Sequence, residues 1–100
     1  MPFNQFIPRS FTPVAIQTYA PVMSGVYGIS NAHEWIYIGE TDNIQSSLLT
    51  HLKDLQTSLM KREPTGFVFE LCDQARRFAR QDQLVVEYEP TCNRQSARHS

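Results

Sequence analysis

An excess of positive charge is the first thing this chain lacks. Nine Lys and Arg stand against ten Asp and Glu, for a formal net charge of −1, so no global field draws it to a polyanion and any nucleic-acid contact must be local. Cysteine is scarce as well. Cys72 and Cys92 are too few and too far apart for a paired zinc knuckle, and no second Cys or His pair stands at ligand spacing. A reduced, cytoplasmic chain is the simplest expectation. No apolar run approaches the roughly 18 residues that span a bilayer, and the N-terminus has no basic region followed by a long apolar core. Neither membrane insertion nor secretion is therefore expected. Repeats and low-complexity tracts are missing too. The apolar set is 41% of 100 residues, about 45% with glycine counted, at the low edge for globular proteins. That length fits one compact domain with a thin margin of stability.

What is present is concentrated between Gly25 and His51. Val26 to Ser30 and Trp35 to Ile38 are rich in β-branched and aromatic residues, and Asn31-Ala32-His33-Glu34 between them supplies turn chemistry; together they read as a β-hairpin. Alternation places Tyr27 with Ile29, and Trp35 with Tyr37 and Gly39. For the two tyrosines to share a face, the connection must contain an odd number of residues. Gly39 ends the second run, and Thr41 or Asp42 is placed to cap a helix starting near Asn43. Its apolar stripe is Ile44, Leu48, Leu52, Leu55 and Leu59, and it is expected to fray after Leu55, ahead of the loop-forming run from Lys61 to Gly66.

Residues 1–22 read as an N-terminal extension, laid over the domain through Phe3, Phe6 and Ile7. It ends in a short helix capped by Thr12, opened by Pro13 and stopped by Pro21. Phe67 to Leu71 alternates as a third strand. Asp73 is placed to cap a last helix reaching about Tyr88, with Ala75, Phe78, Ala79, Asp82 and Val85 or Val86 on one side, the apolar ones covering the sheet. Arg76, Arg77 and Arg80 form a basic stripe on that helix, a local nucleic-acid contact if it meets phosphate. Pro90 ends the helix, and residues 94–100 are a polar tail. The expected architecture is α/β, a small three-stranded, mainly antiparallel sheet flanked by helices, in a domain spanning residues 23–93.

Gly25-Val26-Tyr27, then Tyr37-Ile38-Gly39, then a helix carrying His51 resembles the signature of the GIY-YIG endonuclease superfamily. Leu84-Val85, Pro90 and Asn93 are similar to that family's closing pattern. The resemblance implies metal-assisted hydrolysis of a phosphodiester. A hairpin tyrosine activates or orients the water, an arginine on the first long helix stabilises the phosphate, a glutamate on a later helix holds magnesium or manganese, and an asparagine fastens the site. A fixed cation and a metal belong there because negative charge builds on the phosphoryl oxygens in the transition state.

Carried over position by position, Tyr27, Tyr37, His51 and Asn93 match. The arginine position holds Ser47, the glutamate position holds Gln81, and Glu40 stands where a basic residue often follows the second motif. An uncharged amide is a poorer magnesium ligand than a carboxylate. The expectation is a nuclease-like domain that has lost its hydrolysis, needs no cofactor, and binds nucleic acid or a protein. The alternative is an active endonuclease using magnesium or manganese through relocated acids, with Glu40, Asp42 and Asp82 as candidates. A protein-interaction module with no nucleic-acid role is the third reading.

Overall fold

The computed structural model describes residues 3, 8–54 and 58–93. In chain order it contains β1 (Arg9–Ser10), α1 (Pro13–Tyr19), β2 (Gly25–Ser30), β3 (Trp35–Thr41), α2 (Ile44–Lys53), α3 (Ser58–Lys61), β4 (Gly66–Leu71) and α4 (Arg77–Tyr88). The strands form one antiparallel sheet in the order β1-β4-β2-β3. The sheet thus has four strands rather than three. Arg9 and Ser10 pair with Phe67 and Gly66, and a two-residue strand beside Pro8 carries no alternation that a sequence pattern could register.

The hairpin solves its parity problem in an unexpected way. Ser30 pairs with Trp35 across a turn of four residues, an even number, yet Ile29 pairs with Tyr37 and Tyr27 with Gly39. Ile36 is the extra residue of a β-bulge, and it flips the alternation at that point. Tyr37 therefore joins Tyr27 on one face, while Trp35 goes to the other face and stacks near Phe3 and Tyr88. The expected grouping of Trp35 with Tyr37 and the expected odd-length loop are both replaced by this bulge. The turn is closed by Asn31, whose Oδ1 accepts from the amides of His33 and Glu34 at 2.8 and 2.9 Å.

Two cores sandwich the sheet. Tyr27, Ile29, Ile36 and Phe67 pack against Ile16, Ile44, Leu48 and Leu59 from the three helices on one side. Val26, Ile38 and Val68 pack against Leu84 and Phe3 on the other. All six residues of the central β2 are consequently buried. Gly28 is tight here, since a Cβ on it would lie 2.8 Å from the Trp35 ring and 3.0 Å from Phe3.

Helix boundaries follow their caps. Thr12 accepts from the Ala15 amide and Pro13 opens α1, as expected. At α2 the cap is Asn43, accepting from Ser46 N at 2.9 Å, whereas Thr41 receives the Asn43 amide one step earlier. Met23 and Pro21 carbonyls take the next two helix amides, those of Ile44 and Gln45, so this N-terminus is fully satisfied. The helix stops at Lys53 and Leu59 belongs to α3; Leu55, the tail 94–100 and, apart from Phe3, residues 1–7 lie outside the described residues. No helix among the described residues is long and apolar enough to cross a membrane.

The last helix is rotated from the expected face. Phe78 is 63% and Val86 77% exposed, and Ala75, Ala79 and Asp82 are also exposed. Arg77, Arg80, Gln81, Leu84, Val85 and Tyr88 turn inward instead. The register explains why. Glu40 and Glu70 flank Val26 in one row of the sheet, and this face meets α4, so the arginines follow the carboxylates inward. Asp73 caps the turn before α4 by accepting from Arg76 N at 3.1 Å.

Candidate functional site

Bulge and helix together place three rings in one cluster. Tyr27 and Tyr37 have centroids 6.1 Å apart, and His51 from α2 lies 5.7 Å from the first and 5.2 Å from the second. The Tyr27 hydroxyl is 2.8 Å from His51 Nε2. It sits directly over Gly39, where a Cβ would approach Tyr27 Oη to 2.6 Å; the glycine of β3 makes room for the tyrosine of β2.

Burial decides the charge state of this cluster. Tyr27 is only 4% exposed, and desolvation, with the neighbouring Tyr37 and Glu40 charges adding to it, pushes its phenol far above the usual tyrosine range. Burial and Glu40 also raise Tyr37. His51 goes the other way: burial lowers it, partly opposed by Asp54. Near neutral pH both partners are uncharged, and the ring tautomer sets which of them donates across the 2.8 Å contact.

The motif-matching positions that differ in chemistry both attach to β3. Ser47, one turn before His51 on α2, donates from Oγ to Thr41 Oγ1 at 2.6 Å. Gln81 on α4 donates from Nε2 to the Ile38 carbonyl at 3.1 Å. Asn93 completes the same point: its Oδ1 accepts from Ile38 N at 2.6 Å and its Nδ2 donates to Ile38 O at 2.8 Å. A buried side-chain amide thereby stands in for a fifth strand on the open edge of β3. The family resemblance implied a fastening role for Asn93; the partner, a backbone peptide in the second motif, carries no sequence signal of its own.

The basic stripe does not form. Arg77 Nε lies 2.9 Å from Glu40 Oε1, a close pair that lacks hydrogen-bond alignment, and its Nη1 donates to Ser24 Oγ at 3.1 Å. Arg80 grips Glu70 with two bonds, at 2.7 and 2.8 Å. Both arginines are mostly buried, with side chains 12% and 13% exposed. Only Arg76 projects outward, near Asp73. The relocated acidic site does not assemble either. Glu40 faces Arg77, Asp42 and Asp82 are exposed, and among the described residues no three His, Cys, Asp or Glu side chains come together.

No protein-family model matches the sequence, and no curated protein matches it. Solved structures do match. The magnesium-bound GIY-YIG N-terminal endonuclease domain of UvrC from Thermotoga maritima is similar at 24% identity and a TM-score of 0.63, over 76% of this chain and 92% of that domain. A point variant of that domain with alanine in place of one asparagine, bound to its catalytic divalent cation, matches at 24% identity and TM-score 0.63 over 76% and 91%. A tyrosine-to-phenylalanine variant does so at 23% and 0.63, over 76% and 92%. The chain has the GIY-YIG nuclease fold.

Proposed function

We propose that this chain is a nuclease-like GIY-YIG domain that does not hydrolyse phosphodiesters and works as a binding module for a protein partner. The supporting observation is the double engagement of β3. Ser47 and Gln81, standing where the fold's phosphate-binding cation and metal carboxylate are expected, are neutral and hydrogen-bonded to the protein itself. The divalent cation bound by the similar UvrC domain does not suit this donor set: Gln81 offers only an amide oxygen, and Glu40 and Glu70 are already matched by arginine. Protein rather than nucleic acid is favoured because Arg62, Arg76, Arg77 and Arg80 each lie against a carboxylate, leaving little local positive field.

The test is cleavage of supercoiled, branched and single-stranded DNA in magnesium or manganese. No turnover is expected; metal-dependent turnover abolished by Tyr27→Phe would overturn the proposal. One observation favours the rival, an active enzyme with rearranged ligands. His51 Nε2 is placed to take the Tyr27 proton, as a general base would. That reading requires uptake of a divalent cation, which titration calorimetry measures directly.

A further inference from the structure

We infer that this chain dimerises with a second copy of itself through the surface that α1 and the connection to β2 present, from Val14 to Met23. The step goes beyond the protein-binding reading above, and it stands whether or not the domain cuts DNA. It begins with a gap in the charge pattern. No Asp, Glu, Lys or Arg occurs between Arg9 and Glu34, so every exposed side chain of α1 and of the connection is neutral. Val14 is 74%, Tyr19 48%, Val22 65% and Met23 53% exposed, four of the seven large apolar side chains that the described residues leave in solvent. Apolar exposure is concentrated where charge is missing.

Hydrogen bonds hold this stretch together. Gln45 Nε2 donates to the carbonyls of Gln17 and Ala20 at 3.4 and 3.1 Å, and the carbonyls of Pro21 and Met23 accept from the amides of Gln45 and Ile44 at 3.1 and 3.0 Å. These four carbonyls are thus turned in on the first turn of α2, and the side chains of Val22 and Met23 are left outside it. On α1, Val14 and Thr18 each lie about 160° round from the buried Ile16 and carry the neutral surface back along the helix. Two charges border the stretch, one of each sign: Arg9, folded over the Tyr19 ring at 3.9 Å, and Asp42, exposed two residues before Ile44.

Charge selects the occupant. A neutral apolar surface gives no steering to nucleic acid, to anionic lipid or to a strongly charged protein. Against its own copy it meets no like charge, and a formal net charge of −1 leaves little repulsion between two whole chains. The outer face of α4 lacks that property, because Asp82 is exposed between Phe78 and Val86 and a two-fold axis would set carboxylate against carboxylate. An isologous contact through Val22 and Met23 brings only neutral groups together.

The surface is small, so the association is weak, with a Kd on the order of 100 μM. Sedimentation equilibrium of the full chain, up to about 1 mM, reads it. We expect a dimer that grows with concentration and a Kd that changes by less than about twofold between low and high salt, since no ion pair holds the interface. Val22→Glu with Met23→Glu sets carboxylates against one another across the axis and should raise the Kd at least about tenfold. Val86→Glu, on α4, should leave it unchanged. All three side chains are exposed, so unchanged melting temperatures confirm that the variants fold. A chain that stays monomeric at the highest concentration, a Kd that moves about tenfold with salt, a dimer that survives the Val22 and Met23 changes, or one lost with Val86→Glu would each overturn the inference. A DNA-cleavage assay bears on the non-hydrolytic reading alone, so the two failures stay distinct.

Discussion

Two side chains at the site have consequences that can be measured singly. Asn93 satisfies both polar groups of the buried Ile38 peptide, and Gln81 reaches only the carbonyl. Asn93→Ala leaves the Ile38 amide without this partner and should cost about 1–3 kcal/mol in urea unfolding. Asn93→Asp should be no milder, since it loses the donor to Ile38 O. His51 gives a pH signature. Its folded pKa lies below the ordinary 6.5 because of burial, so the unfolded chain binds the proton more readily. Stability is therefore fully present above 6.5 and falls as the pH drops through the lowered folded value. His51→Phe should flatten that part of the stability profile. Tyr27→Phe removes the hydroxyl at His51 Nε2, and the ring-nitrogen NMR shifts of His51 are expected to change at that nitrogen. Tyr27, Tyr37, His51 and Asn93 were all legible as a spaced set. What Ser47 and Gln81 touch was not, because neutral polar side chains choose among many backbone partners and only folding decides which are near.

At the scale of elements, the hairpin and the α1 cap could be read from residue types, whereas strand parity and the orientation of α4 could not. A single bulged residue, Ile36, is invisible in a pattern whose neighbours Trp35 and Tyr37 are also apolar. On α4 the apolar periodicity pointed Phe78, with Val85 or Val86, inward; Val85 does pack inward, but Phe78 and Val86 face out, because two glutamates in one row of the sheet draw the arginines in. Buried ion pairs are weak sources of net stability yet costly to break on one side. Arg80→Ala, which strands Glu70 with a side chain 12% exposed, should destabilise by about 3 kcal/mol. Replacing both partners by leucine should recover most of that loss. A double-mutant cycle by thermal or urea unfolding checks both, and a single-variant effect below about 0.5 kcal/mol would mean that the pair does not set the helix's orientation.

For the molecule as a whole, near-neutral charge and inward-facing arginines imply poor affinity for polyanions. Binding of the chain to duplex DNA near physiological salt is expected to be weaker than about 10⁻⁴ M, the loose end of ordinary non-specific binding, and fluorescence anisotropy would reveal a tighter complex. Phe3 also belongs to the packing: it is 1% exposed, stacks on Trp35 and Tyr88, and its amide donates to Tyr88 Oη, at the far end of α4, at 3.2 Å. The sequence pointed to Phe3 as a packing residue, but nothing there said which side of the sheet it would cover.

The seal on β3 has a further meaning for a chain still being made. Residue 38 leaves the ribosome 55 positions ahead of the amide that closes it, and in that interval the rim of the sheet exposes pairing groups to any extended neighbour. A nascent or truncated product that ends at Tyr88 would own every strand and have Gln81 on the Ile38 carbonyl, yet leave the Ile38 amide open to strand-to-strand pairing. The last open donor at this point of the edge, the Ile38 amide, is thus covered late in translation, by the carboxamide of Asn93.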